Sequence, residues 1–299
     1  MSARQLLLVL IMLAAVLAAG TARAQEQVRF PTAASQPTAL QKRMAAMRGE
    51  DAKGTPGLML QGHLRRPRRG NGGDGPFAAL VLLYSCQGIT GTVEDWADQL
   101  AAWGYLTLLV DSYGPRRHAP NCNSYEAIES VDQTFDAIGA LKYLRQRKDV
   151  DSGQIGLIGW SIGGSKVLSA LNQIGVQNLY PDKFAYGIAF YPNCLTASGP
   201  FIGPLLMLIG GQDDWTTAAR CVSLRDANAG SVHPMDLQIF PDSFHFFDDP
   251  DMGPVRYRAE AENREKNPTR GVTWGYNPAA RNAAQDTIRQ FLERRLREN

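Results

Sequence analysis

Histidine is scarce in this chain of 299 residues: there are four, at His63, His118, His233 and His245. Cysteine is equally rare, with Cys86, Cys122, Cys194 and Cys221. Their spacing contains no C-x-x-C pair and no Cys/His cluster, which argues against a zinc site, and no metal or cofactor is expected. Charge of one sign is also missing. The formal net charge is only +2, giving no reason to expect nucleic acid or an anionic membrane as partner. Beyond the N-terminus, no apolar run is long enough to cross a bilayer.

The N-terminus itself carries a short apolar run, residues 6–19, preceded by Arg4 and followed by Ala22-Arg23-Ala24. A basic start, a short apolar segment and an A-x-A site describe a secretory signal over residues 1–24, cut before Gln25. Cleavage removes Arg4 and Arg23 and no acid, leaving the charges balanced. The expected product is an exported protein, periplasmic or secreted, with no membrane association after cleavage. All four cysteines lie in the exported part, and an even number in an oxidising compartment favours disulfides. Sequence allows three pairings. Cys86–Cys122 and Cys194–Cys221 are preferred, because each pair lies near the ends of strands expected to be neighbours.

Residues 25–56 show no sustained periodicity and read as an extended arm with one short helix over 40–47. The main domain is expected over 57–299. "GLMLQGHLRRP" alternates and reads as a strand, and "FAALVLLYS" is the continuous apolar run of a strand buried on both faces. Further strands are expected at 105–111, in "QIGLIGW", and at 184–192, 204–210 and 235–241. The spacing predicts helices over 93–104, from Asn123 onward with an Asn123…Glu126 capping box, after Ser161, and at the C-terminus with Ala284, Ile288, Phe291, Leu292 and Leu296 on one stripe. Buried strands alternating with helices imply a single α/β domain with a mostly parallel sheet covered on both faces.

Glycines crowd "QIGLIGWSIGG", residues 154–164. A phosphate loop fails on detail: from Gly159 the lysine of G-x-x-x-x-G-K-[ST] arrives one position late, at Lys166, and Val167 follows it. The dinucleotide spacing G-x-G-x-x-G is absent. What fits is G-x-S-x-G, Gly159-Ser161-Gly163, between a strand and a helix. There the serine sits on a strained turn whose small neighbours let helix and strand pass closely, and the next amide, of Ile162, points at a developing oxyanion.

A nucleophilic serine needs a base and an orienting acid, in this fold in the chain order Ser, Asp or Glu, His. His63 and His118 precede the serine, and His233 precedes a strand, at the wrong end of the sheet. That leaves His245, in "PDSFHFFDDP". The acid is expected at Asp213, with Asp214 as its surface neighbour. Asp111 ends an earlier strand and is expected to shape its own loop. The second oxyanion donor should come from "LLYSCQGITG", the Cys86 amide first and Gln87 next.

Together "GWSIGG", "LIGGQDDWT" with Cys221, "YPDSFHFFD", "VDSYGPR" and "YNPAARNAAQDTIRQFL" resemble the dienelactone hydrolase family of the α/β-hydrolases, from about residue 57 to the C-terminus. The resemblance implies cofactor-free hydrolysis of a small-molecule ester or lactone, with Ser161, Asp213 and His245 as the catalytic triad. Two features depart from the family pattern. Its founding enzymes use a cysteine nucleophile, and relatives often carry a His-Gly pair where this chain has Tyr84-Ser85. Export also fits poorly with intracellular aromatic breakdown, so the family name does not supply the substrate.

Tyr84, Gln87, Arg116 and Trp160 are candidate substrate contacts. Arg116 and Arg117, in "DSYGPRRHAPNC", could meet a substrate carboxylate or be solvated surface. Residues 248–277 could cover the pocket or pack on the surface, the latter preferred. The expected protein is a monomeric secreted esterase. The alternatives are a non-catalytic binding protein on the same fold, or an acyltransferase or polymer depolymerase using the same triad.

Overall fold

A computed structural model describes residues 25–67, 75–233 and 235–297. The expected signal segment and most of the Gly/Asn-rich turn near 70–75 lie outside the described residues. An eight-stranded sheet forms the centre, in the order β1-β2-β4-β3-β5-β6-β7-β8. These strands are β1 (Gln25–Pro31), β2 (Met59–Arg65), β3 (Phe77–Leu83), β4 (Leu106–Asp111), β5 (Val150–Trp160), β6 (Tyr186–Phe190), β7 (Leu205–Gly210) and β8 (Met235–Phe240). β1 and β2 pair antiparallel, as do β2 and β4, and all pairings from β4 through β8 are parallel. This is the α/β-hydrolase arrangement, a mixed and mostly parallel sheet.

The inner strands are apolar throughout because both faces are covered. Every residue of β6 and β7 is buried. The helices are α1 (Ala39–Met47), α2 (Gly91–Ala102), α3 (Tyr125–Glu129), α4 (Gln133–Arg145), α5 (Ile162–Leu171), α6 (Ala218–Ala227) and α7 (Pro278–Arg297), of which α2, α4, α5, α6 and α7 pack on the sheet. Of the expected C-terminal stripe, Ala284, Ile288, Phe291 and Leu292 are buried, while Leu296 is exposed.

Two expectations need correction. The arm is not separate: Gln25–Pro31 is the edge strand of the sheet, with Val28 and Phe30 buried beneath it. The helix from Asn123 is two helices. Ser124, not Asn123, caps the first through its side chain, and Asp132 starts the second by accepting from the Thr134 amide (3.0 Å). The apolar stripe continues across the break, which is why periodicity alone hid it. The polar segment after His245 holds a hairpin, β9 (Arg256–Glu262) against β10 (Arg270–Trp274).

Both disulfides join the expected partners, Cys86–Cys122 and Cys194–Cys221. In the strand order, β3 has β4 on one side and β5 on the other, so the chain leaves β3 and β5 in opposite directions along the sheet. A crevice opens at the carboxyl ends of strands at such a reversal.

Candidate active site

The segments after three strands, β5, β7 and β8, bring Ser161, Asp213 and His245 together. Ser161 follows β5 directly and holds φ +52°, ψ −113°, a conformation that side chains rarely adopt. The turn fits only because its neighbours lack side chains. A Cβ on Gly159 would lie 2.3 Å from the Gly163 carbonyl oxygen, and one on Gly163 would lie 2.4 Å from that of Leu83. Such strain persists only where surrounding structure holds it, here the Ser161 amide donating to Phe190 O (3.0 Å) and the Ser165 amide donating to Ser161 O (2.9 Å).

The His245 ring bridges serine and carboxylate. Its Nε2 is 2.9 Å from Ser161 Oγ and its Nδ1 is 2.7 Å from Asp213 Oδ2. Asp213, in the loop after β7, accepts the Trp215 and Thr216 amides on Oδ1, both at 2.9 Å. Thr216 Oγ1 is 3.0 Å from Asp213 Oδ2, 3.1 Å from His245 Nδ1 and 3.1 Å from the Tyr191 carbonyl. His245 is fully buried, with the Tyr191 and Trp215 rings tilted against it at centroid distances of 4.4 and 4.9 Å. Asp214 points elsewhere. Its carboxylate accepts from Lys266 Nζ (2.6 Å) and the Thr273 amide (2.7 Å), which ties the loop to the β9–β10 hairpin.

The family model of the dienelactone hydrolase family matches residues 69–295. The chain belongs to the dienelactone hydrolase family. A Bradyrhizobium protein, "Probable 2-oxo-3-(5-oxofuran-2-ylidene)propanoate lactonase", is 25% identical over 156 residues, spanning 47% of this chain and 61% of that relative. A solved structure from Klebsiella pneumoniae, assigned to the dienelactone hydrolases, superposes with a TM-score of 0.61 at 14% identity, over 90% of this chain and 99% of that one. A dienelactone hydrolase-like promiscuous phosphotriesterase from metagenomic libraries gives 0.59 at 15% identity, over 79% and 93%. At those identities the two structures are similar in fold alone.

In this dienelactone hydrolase family member, three of the candidate substrate contacts are structural. The Arg116 guanidinium is spent on Asp136 in a two-pronged pair at 2.8 Å and on Ser112 O at 2.7 Å. Asp136 is fully buried, so its charge requires that partner. Tyr84 is buried, its hydroxyl accepting from the Tyr113 amide (2.6 Å), and burial raises its phenol pKa. Trp160 is 1% exposed and turned inward, its indole donating to Asp248. Arg117 is exposed, and Gln87 is half-buried against Met252, with Nε2 3.5 Å from the sulfur. Asp111 shapes its own loop as expected, accepting from the Gly114 amide (2.8 Å).

Sequence reading missed Thr216, Tyr191 and Asp248. Asp248 is fully buried and accepts three side-chain donors at 2.8 Å each: Trp96 Nε1 and Trp160 Nε1 on Oδ2, and the Tyr191 hydroxyl on Oδ1. Burial pushes its carboxyl pKa up, and the three donors oppose that. Asp248 therefore joins the residue before Ser161, the tyrosine packed against His245, and the loop that bears His245. An invariant spacing could not have revealed it, since its partners lie 57, 88 and 152 residues away.

Beside Ser161 opens a groove of about 370 Å³, bounded by Ser161–Asn172 along α5, by the segment 193–198, and by Tyr125, Ile128, Trp215 and Thr216. The β9–β10 hairpin stands behind this wall. Trp215 Nε1 donates to Glu262 O (2.9 Å), Glu262 Oε2 accepts the Tyr125 amide (2.7 Å), and Arg264 lies 4.0 Å over the Tyr125 ring. The segment after His245 thus buttresses the groove and does not line it, in keeping with the preferred surface-packing role.

Proposed function

We propose that the protein is an exported serine hydrolase that cleaves an ester or lactone through an acyl-enzyme intermediate. The observation that carries this reading is the conformation of Ser161, a non-glycine residue at φ +52° with its Oγ 2.9 Å from the His245 imidazole. A serine that only turned the chain would have no reason to hold such a conformation toward a buried histidine. Membership in the family and the Bradyrhizobium lactonase match support the substrate type. The two disulfides support export.

In this mechanism His245 Nε2 takes the proton from Ser161 as Oγ attacks the carbonyl carbon. Asp213 holds the Nδ1–H tautomer and stabilises the imidazolium that forms. The Ile162 amide, first in α5 and so without an intrahelical acceptor, stabilises the tetrahedral oxyanion. The Cys86 amide is its partner, since the Gln87 amide is engaged with Ser85 Oγ (3.2 Å). His245 then protonates the leaving alcohol, or the ring oxygen of an opened lactone. Water, deprotonated by the same imidazole, releases the acid and restores the serine.

Ser161→Ala should lower turnover of p-nitrophenyl acetate by at least about 10³-fold while the circular-dichroism spectrum stays unchanged. Turnover within tenfold of wild type would remove serine from the mechanism. A fluorophosphonate probe should label the wild type at Ser161. Absence of labelling would favour the non-catalytic binding reading.

A further inference from the structure

Small-molecule sites are lined predominantly by apolar side chains, and the groove beside Ser161 departs from that pattern. Along α5 the residues facing it recur as Ser161, Ser165, Ser169 and Asn172, spaced four, four and three apart on a single helix face. At 1.5 Å per residue that polar track runs roughly 16 Å from the nucleophile. The facing wall, Asn193 to Ser198, adds Asn193, Thr196 and Ser198. It is held by the Cys194–Cys221 disulfide and by Asn172 Nδ2 donating to Ser198 O (2.5 Å).

Some of this polarity is already used inside the protein. Ser165 Oγ donates to Ser161 O (3.2 Å) and accepts the Asn193 amide (2.9 Å), which locks helix to wall. Asn193 Oδ1 accepts the Leu195 amide (3.0 Å). The rest remains available for a ligand. Among the described residues, Thr196 Oγ1 and Asn193 Nδ2 meet no protein partner, and Ser169 Oγ only donates, to Ser165 O (3.2 Å), so its lone pairs are free. Lys166 Nζ, on the same helix, is only 3.6 Å from a half-exposed Asp132. An alkyl chain in this groove would strip water from these groups and return no hydrogen bond, whereas hydroxyls would replace that water bond for bond. The buried Tyr125, Ile128 and Leu168 offer apolar surface for the C–H faces of a ring.

We propose that the groove binds the polyhydroxylated half of the substrate, so that the protein is selective for saccharide esters. The inference rests on the hydrolase reading above. The sugar can enter as the alcohol or as the acid, and each places hydroxyls along the same track.

Wild-type enzyme is assayed in two arms, each a size-matched pair. One arm compares 6-O-acetylglucose with hexyl acetate by acetate release. The other compares methyl glucuronate with methyl hexanoate by methanol release. The expected result is a kcat/KM at least tenfold higher for the hydroxylated ester in one arm, which identifies the side of the ester that enters the groove. In Thr196→Val with Ser169→Ala that preference should fall at least fivefold. Equal or better turnover of the alkyl esters in both arms, or an undiminished preference in the double variant, overturns the proposal. Hydrolysis of p-nitrophenyl acetate by the wild type separates the two readings. If it persists without a saccharide preference, only the groove assignment fails; if no ester is cleaved, both fail.

Discussion

At the scale of single residues, the proposed nucleophile, base and acid are set by two kinds of contact with different visibility. Ser161, Asp213 and His245 announce themselves by chain order and by local motifs, because each must follow a strand of a parallel sheet. The side chains that hold them do not. Thr216 touches both Asp213 and His245 at about 3 Å, yet a threonine after "DDW" looks like any helix-start residue. Thr216→Val should lower kcat by about tenfold, the worth of one hydrogen bond to a charged group. Steady-state kinetics on p-nitrophenyl acetate would show it, and an unchanged kcat would assign Thr216 to folding alone. Asp248 has a larger structural stake. Asp248→Ala orphans two buried indole N–H groups and a buried hydroxyl, each costing about 1–3 kcal/mol, offset in part by removal of a buried charge. The expected outcome is a loss of several kcal/mol in urea denaturation, with Tyr191→Phe costing only about 1 kcal/mol. A loss below that of Tyr191→Phe would show that Asp248 does not organise this cluster.

At the scale of elements, legibility follows burial on both faces. The inner strands read correctly because a parallel strand covered on two sides must be apolar throughout. The edge strand β1 exposes most of its length and offers only Val28 and Phe30 as signal, so it reads as coil until its pairing with β2 is known. The β9–β10 hairpin escapes for the same reason: most of β9 is solvent-exposed. Its position depends on Asp214, Glu262 and Asn263, whose contacts lie far apart in the chain. Electrostatic ties between element ends are equally invisible in sequence. Asp149, just before β5, receives Arg147 Nε (2.9 Å) and Arg66 Nε (3.0 Å), joining the start of β5 to the residue that follows β2. Arg147 chiefly, aided by Arg66, holds the Asp149 pKa below its ordinary value. A carboxyl depressed in the folded state contributes stability above its unfolded pKa, near 3.8, and loses it as pH falls through the folded value. Asp149→Asn should therefore cost about 0.5–1 kcal/mol at pH 7, the modest figure reflecting partial exposure. The gap from wild type should close below pH 3. A gap independent of pH would mean that the pair acts by packing rather than charge.

For the whole molecule, the two disulfides act on stability and on the site by separate routes. Their pairing is legible because Cys86 and Cys194 follow β3 and β6 closely, while Cys122 and Cys221 lie in the segments that follow the neighbouring strands β4 and β7. They close segments of 36 and 27 residues. In the chain-entropy account each removes enough freedom from the unfolded chain to stabilise the fold by about 3–4 kcal/mol. For a chain of this size 1 kcal/mol corresponds to roughly 2–4 °C. Full reduction should thus lower Tm by on the order of 10 °C or more, measured by scanning calorimetry with and without a thiol reductant. The Cys86–Cys122 bridge carries a second consequence, because the Cys86 amide belongs to the loop assigned to the oxyanion. Cys122→Ser with Cys86→Ser frees that loop from the segment 111–122. At a temperature well below its Tm, this variant should lose kcat by more than the pair Cys194→Ser with Cys221→Ser, which loosens the groove wall and should chiefly raise KM. Equal losses in kcat for the two variants would show that the Cys86 bridge serves the fold alone and that its loop is positioned without it.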